Sequence, residues 1–581
     1  MRGIVLVGLL LAACAGTHRP TEPADLLFRG GTIYTANPGE PRAEAVAVRG
    51  GRIVFVGAEA GAKRLIGPST RVVSLEGRML SPGFHDAHVH PVSAGIELGR
   101  CDLSQAPTKE AALATLRACV REHAIPEGRW FQGRGWQLPV FPEGPRREDL
   151  DAIVGDRPAF VLSADGHSSW VNTATLRLAG ITRDTPDPPD GRIERDPRTG
   201  EPTGTLRESA SGLVAGVLPP TPKAEVLDGL RRALHQLASH GITSFTEASA
   251  SPGILWAYQT LSDAGELTAR VSVALETDPE AGVAQVEQLV ALRAATHGPR
   301  LTAGSAKIFA DGVIESRTAA MLEPYVGPNG EPTAERGLPR YTPEALNALV
   351  EALDRAHFQV HVHAIGDRAV RMTLDAFERA RARNGARDAR HQIAHLELID
   401  PADIPRFAKL GVVANFQALW AFADPYINDL TLPILGPARS RWIYPIGSIT
   451  RSGAAVVYGS DWSVTTDDPL PAIQVGVTRS DPGSATESAF IPEERVDLAA
   501  MLDGYTRRGA WIDFREKETG TIEVGKAADL VVLDHDLFAI PPMRIGHTRV
   551  LWTLLDGQEI YRAAEFTAPA APPAASPAGP A

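Results

Sequence analysis

The sequence is poor in cysteine and carries no excess of positive charge. Its three cysteines are Cys14, Cys101 and Cys119, and their spacing matches no zinc knuckle. Because Cys14 lies in the leader described below, at most one disulfide can form; a Cys101–Cys119 bridge and two free thiols both remain open. The formal net charge of −12 argues against a nucleic-acid-binding surface.

The N-terminus contains a hydrophobic run that is too short to span a bilayer. Residues 4–13 are apolar or small, follow Met1-Arg2 and end in Leu-Ala-Ala before Cys14. This pattern is typical of a bacterial lipoprotein signal; a plain secretory signal or a miscalled start is the alternative. We expect a signal peptide over 1–13, an exported lipoprotein anchored through a lipidated Cys14, and a periplasmic or outer-membrane location.

The remaining composition is ordinary for a globular protein, with 44% apolar and 22% charged residues. The 581 residues suffice for one large catalytic domain and a smaller companion. Residues 14–24 are predicted to be a tether, and the Ala/Pro-rich residues 566–581 a disordered tail. Residues 25–80 and 515–565 share short, glycine-broken strand patterns, which predicts one β-sandwich built from both chain ends.

The middle of the chain, residues 81–514, alternates strand-like and helix-like segments. The pattern predicts eight strands: the run up to His90, 241–248, 270–276, 305–312, 359–366, 390–397, 411–417 and 454–461. Eight βα units predict an α/β fold of the (β/α)8 TIM-barrel type. Residues from about 100 to 235 are too many for a βα loop, so we expect an inserted subdomain that covers the site.

Histidines mark the ends of three of these strands. In His88-Val89-His90 the imidazoles are two residues apart and point to one side of a strand, so both can reach one metal ion. His85 is turned away by the same alternation. His363, after His361 on the fifth strand, and His395, at the end of the sixth, are further candidate ligands, whereas His361 fits a core position.

A lysine and an aspartate complete the candidate site. Lys307 ends the fourth strand and is a substrate-binding cation, an ordinary strand-end residue or, if carbamylated, a metal ligand. Asp461 follows the eighth strand and can bind metal and act as the general base. Six such side chains at the same end of a barrel predict a centre for one or two divalent ions, with zinc preferred.

Several longer motifs resemble the amidohydrolase superfamily, most closely the branch that includes N-substituted formamide deformylase. The matching text includes LSPGFHDAHVHP, AKIFADGVIESRTAAML, HVHAIGDRAV, YGSDWSV and TGTIEVGKAADLVVLD. The resemblance implies that the metal ligands are His88, His90, His363, His395 and Asp461. It also implies that Lys307 can be a carbamylated bridge.

The resemblance further implies substrate contacts from His167 and Trp170 in the insertion, and from Arg317 as an anion partner. The chain departs from relatives at Val313-Ile314-Glu315, where Glu315 alters the pocket, and at His85-Asp86-Ala87. Neither departure removes a ligand.

These features predict a metal-dependent hydrolase that cleaves a non-peptide C–N bond of a small molecule, with Asp461 as base. His395 is assigned as a ligand or an oxyanion donor. The alternatives are the same site acting on an ester or lactone or as a deaminase, and a non-catalytic solute-binding lipoprotein. No nucleic-acid partner is expected, and a homodimer is compatible with the sequence.

Overall fold

The computed structural model describes residues 22–122, 130–327 and 330–566. The predicted signal peptide and lipidation site lie outside these residues, as do most of the tether and tail. Ala24, inside the predicted tether, is buried, and Phe566, at the start of the predicted tail, packs on Trp552 with ring centroids 5.9 Å apart. The packed chain therefore extends slightly beyond both predicted boundaries. Among the described helices, none is long and apolar enough to cross a membrane.

The N-terminal part forms five strands and one short helix: β1 Leu26–Tyr34, β2 Arg42–Arg49, β3 Arg52–Gly57, α1 Glu59–Ala62, β4 Arg71–Ser74 and β5 Met79–Pro82. Strand β1 pairs with β2 by both of its halves, with a register shift between Arg29 and Ile33, and it pairs with β4 by its first half and with β5 by its second half. The change of partner falls at Gly30-Gly31, where Gly30 has φ +74° and a Cβ on Gly31 would lie 2.4 Å from the Arg78 carbonyl oxygen. Only glycine fits this close approach.

The first barrel strand is followed by a helix and then by a separate sheet. In chain order the elements are β6 Phe84–Val89, α2 Pro91–Glu97, β7 Cys101–Asp102, α3 Lys109–Glu122, β8 Phe131–Trp136, α4 Arg147–Val154, β9 Ala159–Ser163, β10 Ser168–Val171, α5 Thr173–Leu178, β11 Gly191–Arg195, β12 Pro202–Glu208 and α6 Gly212–Ala215. Strands β7–β12 form one sheet in the order β11-β12-β10-β9-β8-β7. A Cys101–Cys119 disulfide joins β7 to α3, which settles the pairing that the sequence left open.

The remaining barrel elements alternate as the sequence predicts. They are α7 Lys223–Ser239, β13 Ile242–Ala250, α8 Pro252–Asp263, β14 Arg270–Glu276, α9 Val286–Ala295, β15 Leu301–Phe309, α10 Pro343–Arg355, β16 Gln359–Ala364, α11 Asp367–Asn384, β17 Gln392–His395, α12 Ile404–Leu410, β18 Val413–Phe416, α13 Leu432–Leu435, α14 Pro437–Ser440, α15 Ile446–Arg451, β19 Val456–Tyr458, α16 Pro469–Thr478, α17 Leu498–Tyr505 and α18 Arg507–Ile512.

Strands β6 and β13–β19 form a parallel eight-stranded sheet in chain order, and this nearly closed barrel confirms the α/β prediction. Backbone hydrogen bonds join the two ends of the sheet just beyond the strands: Asp461 N donates to the His88 carbonyl over 2.8 Å, and His90 N to the Trp462 carbonyl over 3.0 Å. The segments after the first and last strands are thus tied directly to each other.

The C-terminal strands β20 Leu530–Leu533, β21 Val550–Leu555 and β22 Gln558–Arg562 return to the N-terminal sheet, where β20 pairs with β5. All eight of these strands are linked in one sheet. Arg270 at the start of β14 forms a buried ion pair with Asp529, 2.7 Å away, which fixes the barrel against this sheet. The predicted sandwich and the division into domains stay predictions.

Candidate metal centre

Three predicted ligands converge at the C-terminal mouth of the barrel. The Nε2 atoms of His88 and His90 lie 3.5 Å and 3.1 Å from Oδ1 of Asp461. One ligand atom from each of the three residues lies within 4.8 Å of the other two. Two imidazole nitrogens and a carboxylate oxygen are a donor set that divalent transition ions accept, so the residues fit a metal ion.

Tight backbone packing holds this group in place. Asp461 has φ 53°, a left-handed conformation that is rare for residues with a side chain and is common at functional sites. A Cβ on Gly459 would lie 2.5 Å from the His88 backbone nitrogen, so glycine is required there. The Asp86 carboxylate accepts hydrogen bonds from the backbone N–H groups of His88 and Ser460, both 3.0 Å long, and so links β6 to the Asp461 turn.

His88 is contacted on both ring nitrogens. Nε2 of His361 lies 2.9 Å from its Nδ1, and Nζ of Lys307 lies 3.3 Å from its Nε2. Burial, and then the Lys307 charge, hold the pKa of His88 well below its usual value, so the ring is neutral, as a ligand must be. Burial also lowers the pKa of Lys307 to about 7. His361, which the sequence placed in the core, is buried but touches the site directly.

His363 and His395 form a second pair of rings, with centroids 4.4 Å apart. They are not part of the three-residue group. Nδ1 of His395 lies 4.0 Å from Oδ2 of Asp461 and, within the described chain, has no hydrogen-bond partner. Nε2 of His363 lies 3.2 Å from the Gly312 carbonyl oxygen. The structure therefore places both beside the ligand group, on the side facing Trp420, whose ring stacks on His395 with an interplanar angle of 4°.

A carboxylate that the sequence analysis missed supports His90. Oε1 of Glu247, on β13, lies 3.3 Å from Nδ1 of His90, and Oε2 accepts the Tyr258 hydroxyl over 2.9 Å. Burial lowers the pKa of His90, but hydrogen bonds to Asp461 and Glu247 outweigh it and raise that pKa to about 9. The position of Glu247 near the end of a barrel strand was a signal that could have identified it.

His167 reaches the site from the insertion, as the family resemblance implies. Its Nδ1 lies 2.9 Å from Oε2 of Glu208, and its ring centroid lies 5.6 Å from that of His363. Arg340 approaches the same Glu208 oxygen to 3.5 Å. Although burial opposes it, Glu208 raises the pKa of His167 to about 9, so the imidazolium carries a positive charge at neutral pH. Arg340 has no strand-end position, and the sequence offered no signal for it.

Two residues that the family resemblance ties to substrate lie away from the cavities at the metal centre. Trp170 is fully buried, donates its indole N–H to the Arg146 carbonyl over 2.9 Å and packs on Phe141. Arg317 is directed to a surface loop, where it pairs with Glu335 at 2.8 Å. Neither side chain lines a cavity at the metal centre. Trp170 is part of the core of the insertion, whereas Arg340 lines the first of the cavities described below.

Two cavities meet at the metal centre. The first has a volume of about 760 Å³ and is lined by His88, His90 and Lys307 together with Phe309 and Arg340. The second has a volume of about 770 Å³ and extends toward the insertion. We call them the first and second lobes. Their linings share six residues: Asp165, His167, His363, His395, Asp461 and Val464. A bound molecule can thus extend to both sides of Asp461.

Comparisons with known proteins agree with this architecture. A profile described as the amidohydrolase family matches residues 71–561. YtcJ of Bacillus subtilis (strain 168) is 31% identical over 92% of this chain and 99% of its own length. The N-substituted formamide deformylase of Arthrobacter pascens is 26% identical over 92% of this chain and 98% of its own length.

A solved structure shares the fold. An uncharacterized metal-dependent hydrolase from Pyrococcus horikoshii OT3 superposes with a TM-score of 0.70 at 24% identity, over 89% of this chain and 99% of that chain.

Proposed function

The chain belongs to the amidohydrolase family, and from this premise we propose that it hydrolyses a non-peptide C–N bond of a small molecule. The observation that supports this most is the convergence of His88, His90 and Asp461 at the junction of two substrate-sized cavities. A relative over nearly the whole chain is named as a deformylase of N-substituted formamides. That name favours an amide-type bond over an ester or lactone.

In this proposal His88, His90 and Asp461 hold a divalent ion, with zinc preferred. Such an ion would polarise a carbonyl group and lower the pKa of water. Nδ1 of His395 is buried and has no hydrogen-bond partner among the residues that the structure describes, and His395 is either a further ligand or a donor to the developing oxyanion. Lys307 is fully buried beside Nε2 of His88, where an ammonium would repel a cation. We therefore include carbamylation of Lys307, which converts it to an anionic oxygen donor.

Asp461 is proposed as the general base. Burial raises its pKa, but the hydrogen bond from His90 and its charge outweigh burial and hold that pKa below the usual value. The carboxylate is therefore ionised at neutral pH and can take a proton from the attacking water. The same proton passes from the Asp461 oxygen to the leaving nitrogen, so an acid and an amine are released.

The test combines metal analysis with a substrate panel. We expect at least one equivalent of a transition metal by elemental analysis, and turnover of formyl or acetyl amines. Asp461→Asn should lower kcat by about 10²–10⁴-fold with the circular dichroism spectrum unchanged. Asp156→Asn, which alters a fully exposed aspartate, is the matched control. Turnover of esters or lactones alone would overturn the choice of bond. A metal-free protein that binds solutes without turnover would overturn the assignment of the protein as an enzyme.

We also propose that the protein is exported and anchored through a lipid on Cys14. This rests on the sequence pattern before Cys14, which lies outside the described residues. Labelled palmitate should enter the wild-type protein and not Cys14→Ala, and the wild type should fractionate with membranes. Equal labelling of both proteins would contradict the anchor.

A further inference from the structure

The two lobes are each lined by six acidic residues and share His167, but they differ in their lysine and arginine side chains. None of the described residues that line the second lobe is lysine or arginine, whereas the first lobe contains Lys307 and Arg340. The six acidic residues of the second lobe are Asp165, Glu315, Glu397, Asp424, Asp429 and Asp461. A neutral ligand gains no electrostatic attraction from these carboxyl groups, and an anionic ligand would be repelled by them.

Two of these carboxyl groups share one hydroxyl group. The Thr431 hydroxyl donates to Oε1 of Glu315 over 2.6 Å and lies 3.5 Å from Oε1 of Glu397. Only 3% of Glu397 is exposed, and Glu315 is partly buried at the lobe wall. Burial raises the pKa of Glu315, and burial together with the charge of Glu315 and a hydrogen bond to it raises the pKa of Glu397. A neighbouring cation would favour the ionised form of both groups. No basic side chain of the described chain forms an ion pair with Glu315 or Glu397.

Aromatic rings form another part of the same wall. Trp420, Tyr426 and Tyr444 all line the second lobe. The faces of such rings attract ammonium groups, most strongly where water is excluded. Trp420 stacks on His395, so this aromatic wall continues directly to the metal centre.

An unsatisfied polar atom lies at the same place. Nδ1 of His395, which lines the lobe, has no hydrogen-bond partner within the described residues. Only 3% of this side chain is exposed. Buried polar groups of this kind are normally paired, so this atom points to a ligand or water that completes the site.

We propose that the second lobe binds a cationic, amine-bearing part of the substrate, with Glu315 as the residue that determines this specificity. The inference rests on the proposed hydrolysis at the metal centre and names its substrate class. Because the lobe shares Asp461 and His395 with the first lobe, a substrate can place its ammonium among the carboxylates while its C–N bond lies at the metal centre.

Three formamides of matched length test the proposal on the metal-loaded, full-length protein: N-formyl-1,4-diaminobutane, N-formylpentylamine and N-formyl-4-aminobutyrate. We expect the cationic compound to exceed the neutral one in kcat/KM by at least about tenfold, as a charge-assisted hydrogen bond allows, and the anionic one to be poorest. Glu315→Gln should lower the ratio of cationic to neutral kcat/KM by about tenfold, mainly by raising KM for the cationic substrate. The kcat/KM of the neutral substrate should stay within about twofold of the wild-type value. Glu344→Gln, at an exposed position on α10, removes the same charge as a control.

Binding separates failure of this inference from failure of the proposed function. If none of the three is hydrolysed, calorimetry with 1-aminobutane against 1-butanol decides. Tighter binding of the amine that is lost in Glu315→Gln supports the lobe, and the hydrolase proposal is then judged separately by metal content and the wider substrate panel. Equal kcat/KM for neutral and cationic substrates, or equal binding of amine and alcohol, overturns the inference. If Glu315→Gln does not fold, Thr431→Val, which removes the shared hydroxyl, should reduce the same preference.

Discussion

Glu247 and Asp461 contact opposite nitrogens of the His90 ring: Oε1 of Glu247 lies 3.3 Å from Nδ1 and Oδ1 of Asp461 lies 3.1 Å from Nε2. A carboxylate on the far nitrogen fixes the ring orientation and makes the imidazole a better ligand. Tyr258 in turn holds Glu247 through a 2.9 Å hydrogen bond. His90 is thus presented to an ion by a buried chain of side chains that comes from β13 and α8.

Glu247→Gln should weaken metal binding by about 10–100-fold, because a neutral amide oxygen accepts the hydrogen bond from Nδ1 of His90 less strongly than a carboxylate does. The measurement is competition of the apo protein with a zinc-binding dye, monitored together with the melting temperature. Tyr258→Phe should have a smaller effect in the same direction. Unchanged affinity in Glu247→Gln, with the protein folded, would show that Glu247 does not support the site.

Metal binding should release a proton and strengthen as the pH rises. The pKa of His90 is raised to about 9 in the metal-free protein, so at pH 7 its ring is protonated and must lose that proton to bind an ion. From this group alone, apparent affinity should increase about tenfold per pH unit and level off near pH 9. Calorimetry at pH 7 in buffers of different ionisation enthalpy measures the proton. Affinity that is flat between pH 7 and 9 would refute this assignment.

Arg340→Ala should reduce kcat/KM by at least about tenfold, because the guanidinium lines the first lobe and lies 3.5 Å from Glu208. Arg317→Ala is the matched variant, and it removes a surface ion pair worth about 0–1 kcal/mol. Its kinetics should stay within about twofold of the wild type. Steady-state kinetics on the best formamide compare the two, and a larger loss in Arg317→Ala would restore the role that the family resemblance implies.

The Cys101→Ser/Cys119→Ser double variant should lose about 3 kcal/mol of stability, since the disulfide closes a loop with a sequence separation of 18. Denaturant unfolding of both proteins measures the difference. Wild type treated with dithiothreitol should match the variant. A variant as stable as the untreated wild type would show that the bridge contributes nothing to the insertion.

The barrel could be predicted from sequence because its strands carry two independent signals. Each is a short segment that alternates with a helix-like stretch, and five of the eight carry a histidine, lysine or aspartate near the C-terminal end. Alternation placed His88 and His90 on one side and turned His85 away; the structure pairs His85 with Ser244, 2.9 Å away, and Asp513. Patterns of period two are local, so one chain is enough to read them.

The rest depends on contacts between distant segments. Trp170 lies in a motif that the resemblance ties to substrate, yet the packing of the insertion buries it. Arg340 and Glu315 reach their cavities from loops after β15, where no periodic pattern fixes the direction of a side chain. The difference in basic side chains between the two lobes arises only when these loops, the insertion and the π-helical segment Tyr426–Thr431 come together.

The backbone hydrogen bonds between the segments after β6 and β19 also set an order of events during biosynthesis. His88 emerges early from the ribosome, but Asp461 and the turn that hydrogen-bonds to it follow only after almost all of the barrel has been made. A nascent or truncated chain that stops before residue 461 has the two histidines but lacks the Asp461 carboxylate. The three-residue group can therefore form only after the last barrel strand has been made.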